Sequence, residues 1–365
     1  MHIDDRSESF NSQRRVARRD KSPGDREIYL PLFLEDRNML IKKYVGAGMF
    51  AATLLCTSTV YAEPEITLGL SNWPGWVAWY VAKHNGYFKK YHANFKLVWF
   101  SSYMTSVEAL SAGRIDANCQ ALIDSLAPIE KGVPIKVVLT TDNSAGNDAL
   151  MVDDSIKNFS GLKGKVVAVR MDSIEQYLDE YALKKNGLKP GNVKFVNMST
   201  ADAAAALMAG RVPAAGVWNP WIQRIENRKA GHVLFSSASA PGVIPDIVAA
   251  KESVLKKYPE QFKRLAKVWF RTVQFIDRHP RAAAKIMAPH VELSPAEYQG
   301  SLRGTKLFGK VLNNYSMNKN YINMTVSLYK ATEDTGKFLK SAGAIRKIPS
   351  PESFIDPSFV NSAIK

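Results

Sequence analysis

Apolar and polar positions alternate in short blocks along this chain, and the blocks switch between two periods. Ile66–Leu70 predicts a strand, and Trp76–Asn85 carries a helical spacing that Gly86 ends. Phe95–Phe100 predicts the next strand, and Thr105–Ala112 a helix stopped by Gly113. Ala117–Ala121 starts a further element, and Val133–Thr140 is a strand followed by a polar loop over Thr141–Asp148. A second block repeats the grammar. A turn at Leu162–Lys165 precedes strand Val166–Val169, and a helix runs from about Ser173 to Lys185 and ends at Gly187. Strand Val193–Val196, helix Ala201–Met208 and strand Ala214–Val217 follow. A loop over Ser236–Pro245 then leads into a helical C-terminal third, with helices over Pro259–Arg278, Arg281–Met287, Pro295–Gln299 and Ile322–Ala342. Strands alternating with helices predict βαβ units and largely parallel sheets. Two such blocks predict an α/β protein of two lobes. Lobe one takes residues 63–145 and returns over 241–365, lobe two takes 146–240, and the chain crosses near Asn143 and Ala240. A ligand would sit in the cleft between them, where hinge closure buries it.

The first 62 residues read differently. Residues 1–38 are polar, hold the basic run Arg14, Arg15, Arg18 and Arg19, and carry neither period. Such a segment buries too little apolar surface to offset its ordering entropy. Met39 opens another pattern: Lys42 and Lys43, an apolar run from Tyr44 to Cys56, then Val60-Tyr61-Ala62. This is the layout of a secretory signal peptide over residues 39–62, with cleavage after Ala62. The expectation is therefore a periplasmic protein starting from Met39, with residues 1–38 a disordered or over-long extension. The apolar run is too short for a permanent membrane anchor. Leu54-Leu55 before Cys56 lacks the small residue that lipid attachment wants.

Cleavage leaves 303 of the 365 residues, a length that suits two lobes with separate cores. One cysteine, Cys119, remains, which excludes an internal disulfide or a multi-thiolate metal site and suits a small core residue. The full chain is +15; its first 62 residues hold 10 Lys/Arg and 8 Asp/Glu, so the remainder is +13. The basic residues are dispersed, with no aromatic-interleaved cluster, so nucleic acid is not an expected partner. The six histidines show no metal-ligand spacing, and no HExxH, GxSxG, Walker or GxGxxG pattern stands in its required context. No cofactor is implied and no activated nucleophile is evident.

Several segments, in order, carry a resemblance. They are Ser71-Asn72-Trp73-Pro74-Gly75-Trp76 followed by Gly86-Tyr87-Phe88, Ala109–Ala117 with Ala112-Gly113 and Asp116-Ala117, Gly161–Val169, Ala203–Gly210, and Val217-Trp218-Asn219-Pro220-Trp221. Together they resemble the periplasmic binding proteins of the nitrate, sulfonate and taurine importer group, which shares its fold with thiamine-pyrimidine precursor binders and synthases. The resemblance implies a type II periplasmic-binding-protein fold. It also implies a monomeric, non-enzymatic receptor that passes a small nitrogen- or sulfur-containing compound to an ABC permease and ATPase. The synthases' cysteine-rich motif is absent. Trp73-Pro74-Gly75-Trp76 and Asp142–Asp148 look like a sub-branch linked to urea-carboxylase-type nitrogen metabolism, including guanidine.

Ligands of open α/β sheets bind beyond the carboxyl ends of strands. Ser71, Asn72, Trp73 and Trp76 stand there after the first strand, against the alternative of a turn with one packed tryptophan. Ser102 and Tyr103 follow the second strand; the serine suits an oxyanion or a helix cap. Asp124 lies at the next strand end. Asp142 and Asp148 flank a polar stretch that suits N–H donors or ordinary turn chemistry. In lobe two, Asp172 and Ser173 follow a strand; one is expected to cap the helix, and family position places the other in the cleft. Trp218 follows the last lobe-two strand, and Asp246 follows the return crossing. The family's named ligands are mostly anions, whereas only Arg170 is basic among these candidates. Aspartates with aromatic walls suit a cation or N–H-rich molecule such as guanidine or a urea-like compound. Both ligand classes stay open on the sequence.

Overall fold

A computed structural model describes residues 64–365. The leading segment 1–38, the signal peptide 39–62 and the cleavage point after Ala62 lie outside the described residues. Among the described residues, eleven strands form two sheets. The first has the order β11-β4-β10-β3-β1-β2, with β1 at Ile66–Leu70, β2 at Phe95–Trp99, β3 at Ala117–Ala121, β4 at Ile135–Ser144, β10 at Pro245–Lys251 and β11 at Thr305–Leu307. The second has the order β7-β6-β8-β5-β9, with β5 at Asp148–Val152, β6 at Val166–Val169, β7 at Lys194–Asn197, β8 at Ala214–Trp218 and β9 at His232–Ser236. Helices cover both sheets, so central strands such as β3 and β5 are buried throughout, including the polar Asn118 and Gln120 of β3 and Asp148 at the start of β5.

The sheets are mixed rather than largely parallel. β1 pairs parallel with β2 and β3, but β10 runs antiparallel to both β3 and β4, and β5 antiparallel to β8 and β9. The antiparallel members are the strands beside the crossings, where the chain enters a sheet from the opposite end. The polar stretch Thr141–Asp148 is also not a loop. β4 continues to Ser144 and β5 begins at Asp148. Asp142 and Asn143 hold their places because β10 pairs with them on one side and β11 on the other. Ladder bonds to both neighbours satisfy the backbone that a polar sequence would otherwise leave to water.

In the C-terminal third, Pro259–Arg278 forms one 20-residue helix with Pro259 in its first turn. Its apolar stripe buries Phe262, Leu265, Trp269, Val273 and Ile276 against the first sheet's helices. Trp269 packs on Trp79 with ring centroids 4.7 Å apart and donates Nε1–H to the Phe308 carbonyl at 2.9 Å. The final long helix spans Leu328–Ser341, not Ile322–Ala342, because Ser327 caps it by accepting from the Lys330 amide.

The chain leaves the first sheet over Ala145–Asn147 and returns from the second over Ser237–Ile244. The Ser144 and Ser237 hydroxyls meet at 2.7 Å, and Ser237 Oγ also accepts from the Gly146 amide at 2.7 Å. Asn147 donates to the Ser301 carbonyl and to Thr305 Oγ1, and accepts from Asn219. Gly146 has φ of +136°, a conformation that favours glycine. The two crossings are thus clasped side by side.

Candidate functional site

Strand ends from both sheets converge beside these crossings. They wall a narrow cleft. From the first sheet come Ser71, Asn72, Trp73 and Trp76 after β1, Tyr103 after β2, Ala121 at the end of β3, and Ile244 and Asp246 at β10. From the second come Asp148 at the start of β5, Ile174 after β6 and Trp218 at the end of β8. The turn after β1 is shaped by Gly75. A Cβ there would lie 2.3 Å from Asp142 Oδ2, so only glycine lets Trp73 and Trp76 fold onto that carboxylate. Trp73 Nε1 donates to Asp142 Oδ1 at 2.9 Å, and Tyr298 donates its hydroxyl to the Pro74 carbonyl. The Trp76 ring packs between Trp73 and Tyr103, with centroids 6.2 and 5.2 Å away, and Trp218 meets Tyr103 edge-on at 6.1 Å.

The charges form two groups. In the first, Arg170 at the end of β6 grips Asp124 with both terminal nitrogens, at 3.1 and 3.3 Å, and reaches Glu175 at 3.4 Å. Tyr103 donates to Asp124 Oδ2 at 2.6 Å, and Thr200 donates to Glu175 Oε1 at 2.7 Å. Asp124 belongs to the first sheet's helix Ile123–Glu130, so this pair bridges the lobes. Burial works to lower the Arg170 pKa, but Asp124 and Glu175 outweigh it and raise it. Its positive charge is thereby committed to protein partners.

The second group has acids without a cation. Asp142, Asp148, Asp246 and Asp179 are each at most 3% exposed. Asp142 and Asp246 hydrogen-bond to each other through their carboxyls; apart from that contact, Oδ2 of Asp142, Asp148 and Asp246, and both carboxylate oxygens of Asp179, have no hydrogen-bond donor. Burial pushes Asp148 up to about 8 against the pull of Ser144, and pushes Asp142 up to about 6. Burial and the adjacent Asp142 charge drive Asp246 upward, and burial with Glu175 does the same to Asp179. Two donors are also unpartnered nearby, Trp76 Nε1 and Arg170 Nε, as is the Ser71 hydroxyl. Among the described residues no cluster of His, Cys, Asp or Glu has the makings of a metal site.

The structure sorts the candidate residues. Ser71, Asn72, Trp73, Trp76, Tyr103, Asp148, Trp218 and Asp246 line one cleft. Asp142 stands behind Trp73, and Asp124 is held by Tyr103 and Arg170. Ser102 starts the helix Tyr103–Ser111 without a side-chain cap bond, and lines an adjoining recess with Arg170 and Trp221. Asp172 and Ser173 do not reach the cleft. Asp172 is exposed in a left-handed turn at φ 56°, its amide held by Gln176, and Ser173 caps the helix Ile174–Lys185 and donates to the Arg170 carbonyl. The next residue, Ile174, takes the wall position instead. Glu175 and Asp179 were not foreseen. They lie one turn apart on that helix's buried face with Leu178 and Ala182, a spacing already present in the sequence.

Comparison with known proteins matches this architecture. The family model described as NMT1/THI5 like covers residues 73–283. The taurine-binding periplasmic protein of Escherichia coli is 26% identical over 282 residues, covering 72% of this chain and 82% of that one. The alkanesulfonate-binding protein SsuA of Xanthomonas axonopodis, solved bound to MOPS, superposes with a TM-score of 0.67 at 17% identity, over 80% of this chain and 98% of that one. The desulfurization enzyme DSZB superposes at a TM-score of 0.59 and 15% identity, over 83% of this chain and 99% of that one, so the fold serves catalysis as well as binding.

Proposed function

Because the chain belongs to the NMT1/THI5-like family, we propose that it is the solute-binding component of an ABC importer, holding a small polar molecule between its lobes for a membrane permease and ATPase. The observation that carries this reading is the cleft itself. It is walled by strand ends of both sheets, sits beside two clasped crossings, and contains buried polar atoms without protein partners. Lobe one is assigned to 63–145 and 241–365, and lobe two to 146–240. Ser71, Trp73, Trp76, Tyr103, Asp148, Trp218 and Asp246 are assigned to ligand contact. Residence in the periplasm is supported by the expected signal peptide and by the periplasmic relative, and the receptor is taken to act as a monomer.

The enzymatic members of the fold supply the contrasting reading. Cys119, the cysteine in the described residues, is buried in β3, and burial pushes its thiol well up, the opposite of nucleophile activation. The test is a titration calorimetry panel of small amines, sulfonates and ureas, with mass spectrometry of the recovered ligand. One-to-one binding of an unchanged compound is expected, with a smaller radius of gyration by X-ray scattering. Conversion of a panel compound to product would overturn the receptor reading.

A further inference from the structure

We infer that the cleft selects a compact organic cation with at least two N–H donors, of the ammonium, amidinium or guanidinium class, rather than a sulfonate or another anion. This rests on the receptor reading and names its ligand. Asp148 comes from the second sheet and Asp246 from the first, and both line the cleft. Each is nearly inaccessible, at 2% and 3%; Oδ2 of Asp148 has no donor, and Oδ2 of Asp246 has none beyond the hydrogen bond that Asp246 shares with the neighbouring Asp142 carboxyl. A buried carboxylate oxygen left without a donor is costly, so a site that keeps two of them facing one space is built for a group that donates to both.

The surroundings match in sign. The charged and titratable groups around this pair are Asp142, Asp124, Glu175, Asp179, Tyr103 and Arg170, of which only Arg170 is cationic. That arginine already holds Asp124 and Glu175, so its charge is not available to an anionic ligand. Trp76 and Trp218 line the same cleft and give it aromatic walls, which suit a cation better than an anion. Trp76 Nε1 leaves one donor for an acceptor elsewhere on the ligand. Asp148, pushed up to about 8, carries a proton in the empty cleft at neutral pH, and an entering cation displaces it. Cation affinity therefore rises with pH, and binding releases protons.

Calorimetry at matched ionic strength with guanidinium, methylammonium, urea, taurine, ethanesulfonate and nitrate tests this. A cation should bind most tightly, at least tenfold better at pH 8.5 than at pH 6, with proton release measured in buffers of different ionisation enthalpy. Asp148→Asn and Asp246→Asn should each weaken that binding at least tenfold, and the empty variants should melt no lower than the parent. Proton release by the parent protein reports on the site even if a variant fails to fold. Tighter binding of taurine, ethanesulfonate or nitrate would overturn the assignment and leave the receptor reading standing. Silence from both cations, or affinity that ignores pH and both substitutions, would also overturn it. Turnover of a probe would instead remove the receptor reading.

Discussion

Gly75 shows how little space separates the aromatic turn from the acids beneath it. The missing side chain allows Trp73 to reach Asp142, and an added methyl would land 2.3 Å from one carboxylate oxygen and 2.6 Å from the other. The carboxylate has little room to swing aside, since it is fully buried, Trp73 holds its Oδ1, and its backbone is fixed within β4 between β10 and β11. Gly75→Ala should therefore destabilise the fold by about 2 kcal/mol through overpacking, measured by urea unfolding, and should weaken ligand binding with it. At this scale the sequence was legible where a residue follows a strand end. Ser71, Trp73 and Trp218 were chosen by that rule together with the family resemblance, Asp148 and Asp246 by their place beside the crossings, and all five line the cleft. Ser173 caps the next helix, as expected of one of the pair, but the rule failed at Asp172, because the choice between capping, facing the cleft and turning outward depends on backbone dihedrals that residue type does not reveal.

Among elements, the Arg170 pair is the connection with the clearest energetic consequence. It joins the end of β6 to the helix Ile123–Glu130, and both partners are largely removed from water, with side chains 15% and 5% exposed. Removing one member of such a pair leaves the other's charge uncompensated. Arg170→Gln should cost about 3 kcal/mol. Urea unfolding of parent and variant at neutral pH checks this, and a loss below about 1 kcal/mol would contradict this account. The strands that sequence patterning missed are β5, β9, β10 and β11. β10 follows the long Ser236–Pro245 loop and begins with a proline and a buried aspartate, which reads as turn chemistry. β11 is three residues long and exists because β4 offers it an edge. Both owe their conformation to pairing partners distant in sequence, which a local pattern does not contain. By contrast, the helix Pro259–Arg278 was legible end to end, since its period and first-turn proline are local.

For the whole molecule, the buried acids set the direction of its response to pH. Asp142, Asp148, Asp179 and Asp246 all have folded pKa values raised above the ordinary carboxylate range, chiefly by burial. The folded chain thus keeps protons that the unfolded chain releases near pH 4. This contribution is fully present below that pH and is lost as pH rises through the folded values, about 6 for Asp142 and about 8 for Asp148. Each retained proton is worth about 1.4 kcal/mol per pH unit. The ligand-free protein should melt at a higher temperature at pH 5.5 than at pH 8, and Asp179→Asn should narrow the gap; a flat or rising profile in the parent would show that these carboxyls titrate normally. The same residues also sit at a mechanically special place. Asp142 and Asp148 are only six positions apart, on either side of the crossing at Ala145–Asn147, and Asp246 begins the strand that follows the other crossing. The ligand seat is therefore close to the fulcrum of any rotation of one lobe against the other. Near a fulcrum, sub-ångström adjustments in the seat become the largest displacements at the outer rims, and a modest force at those rims returns to the seat with leverage. A partner that grips only the rims can prise the cargo loose without touching it.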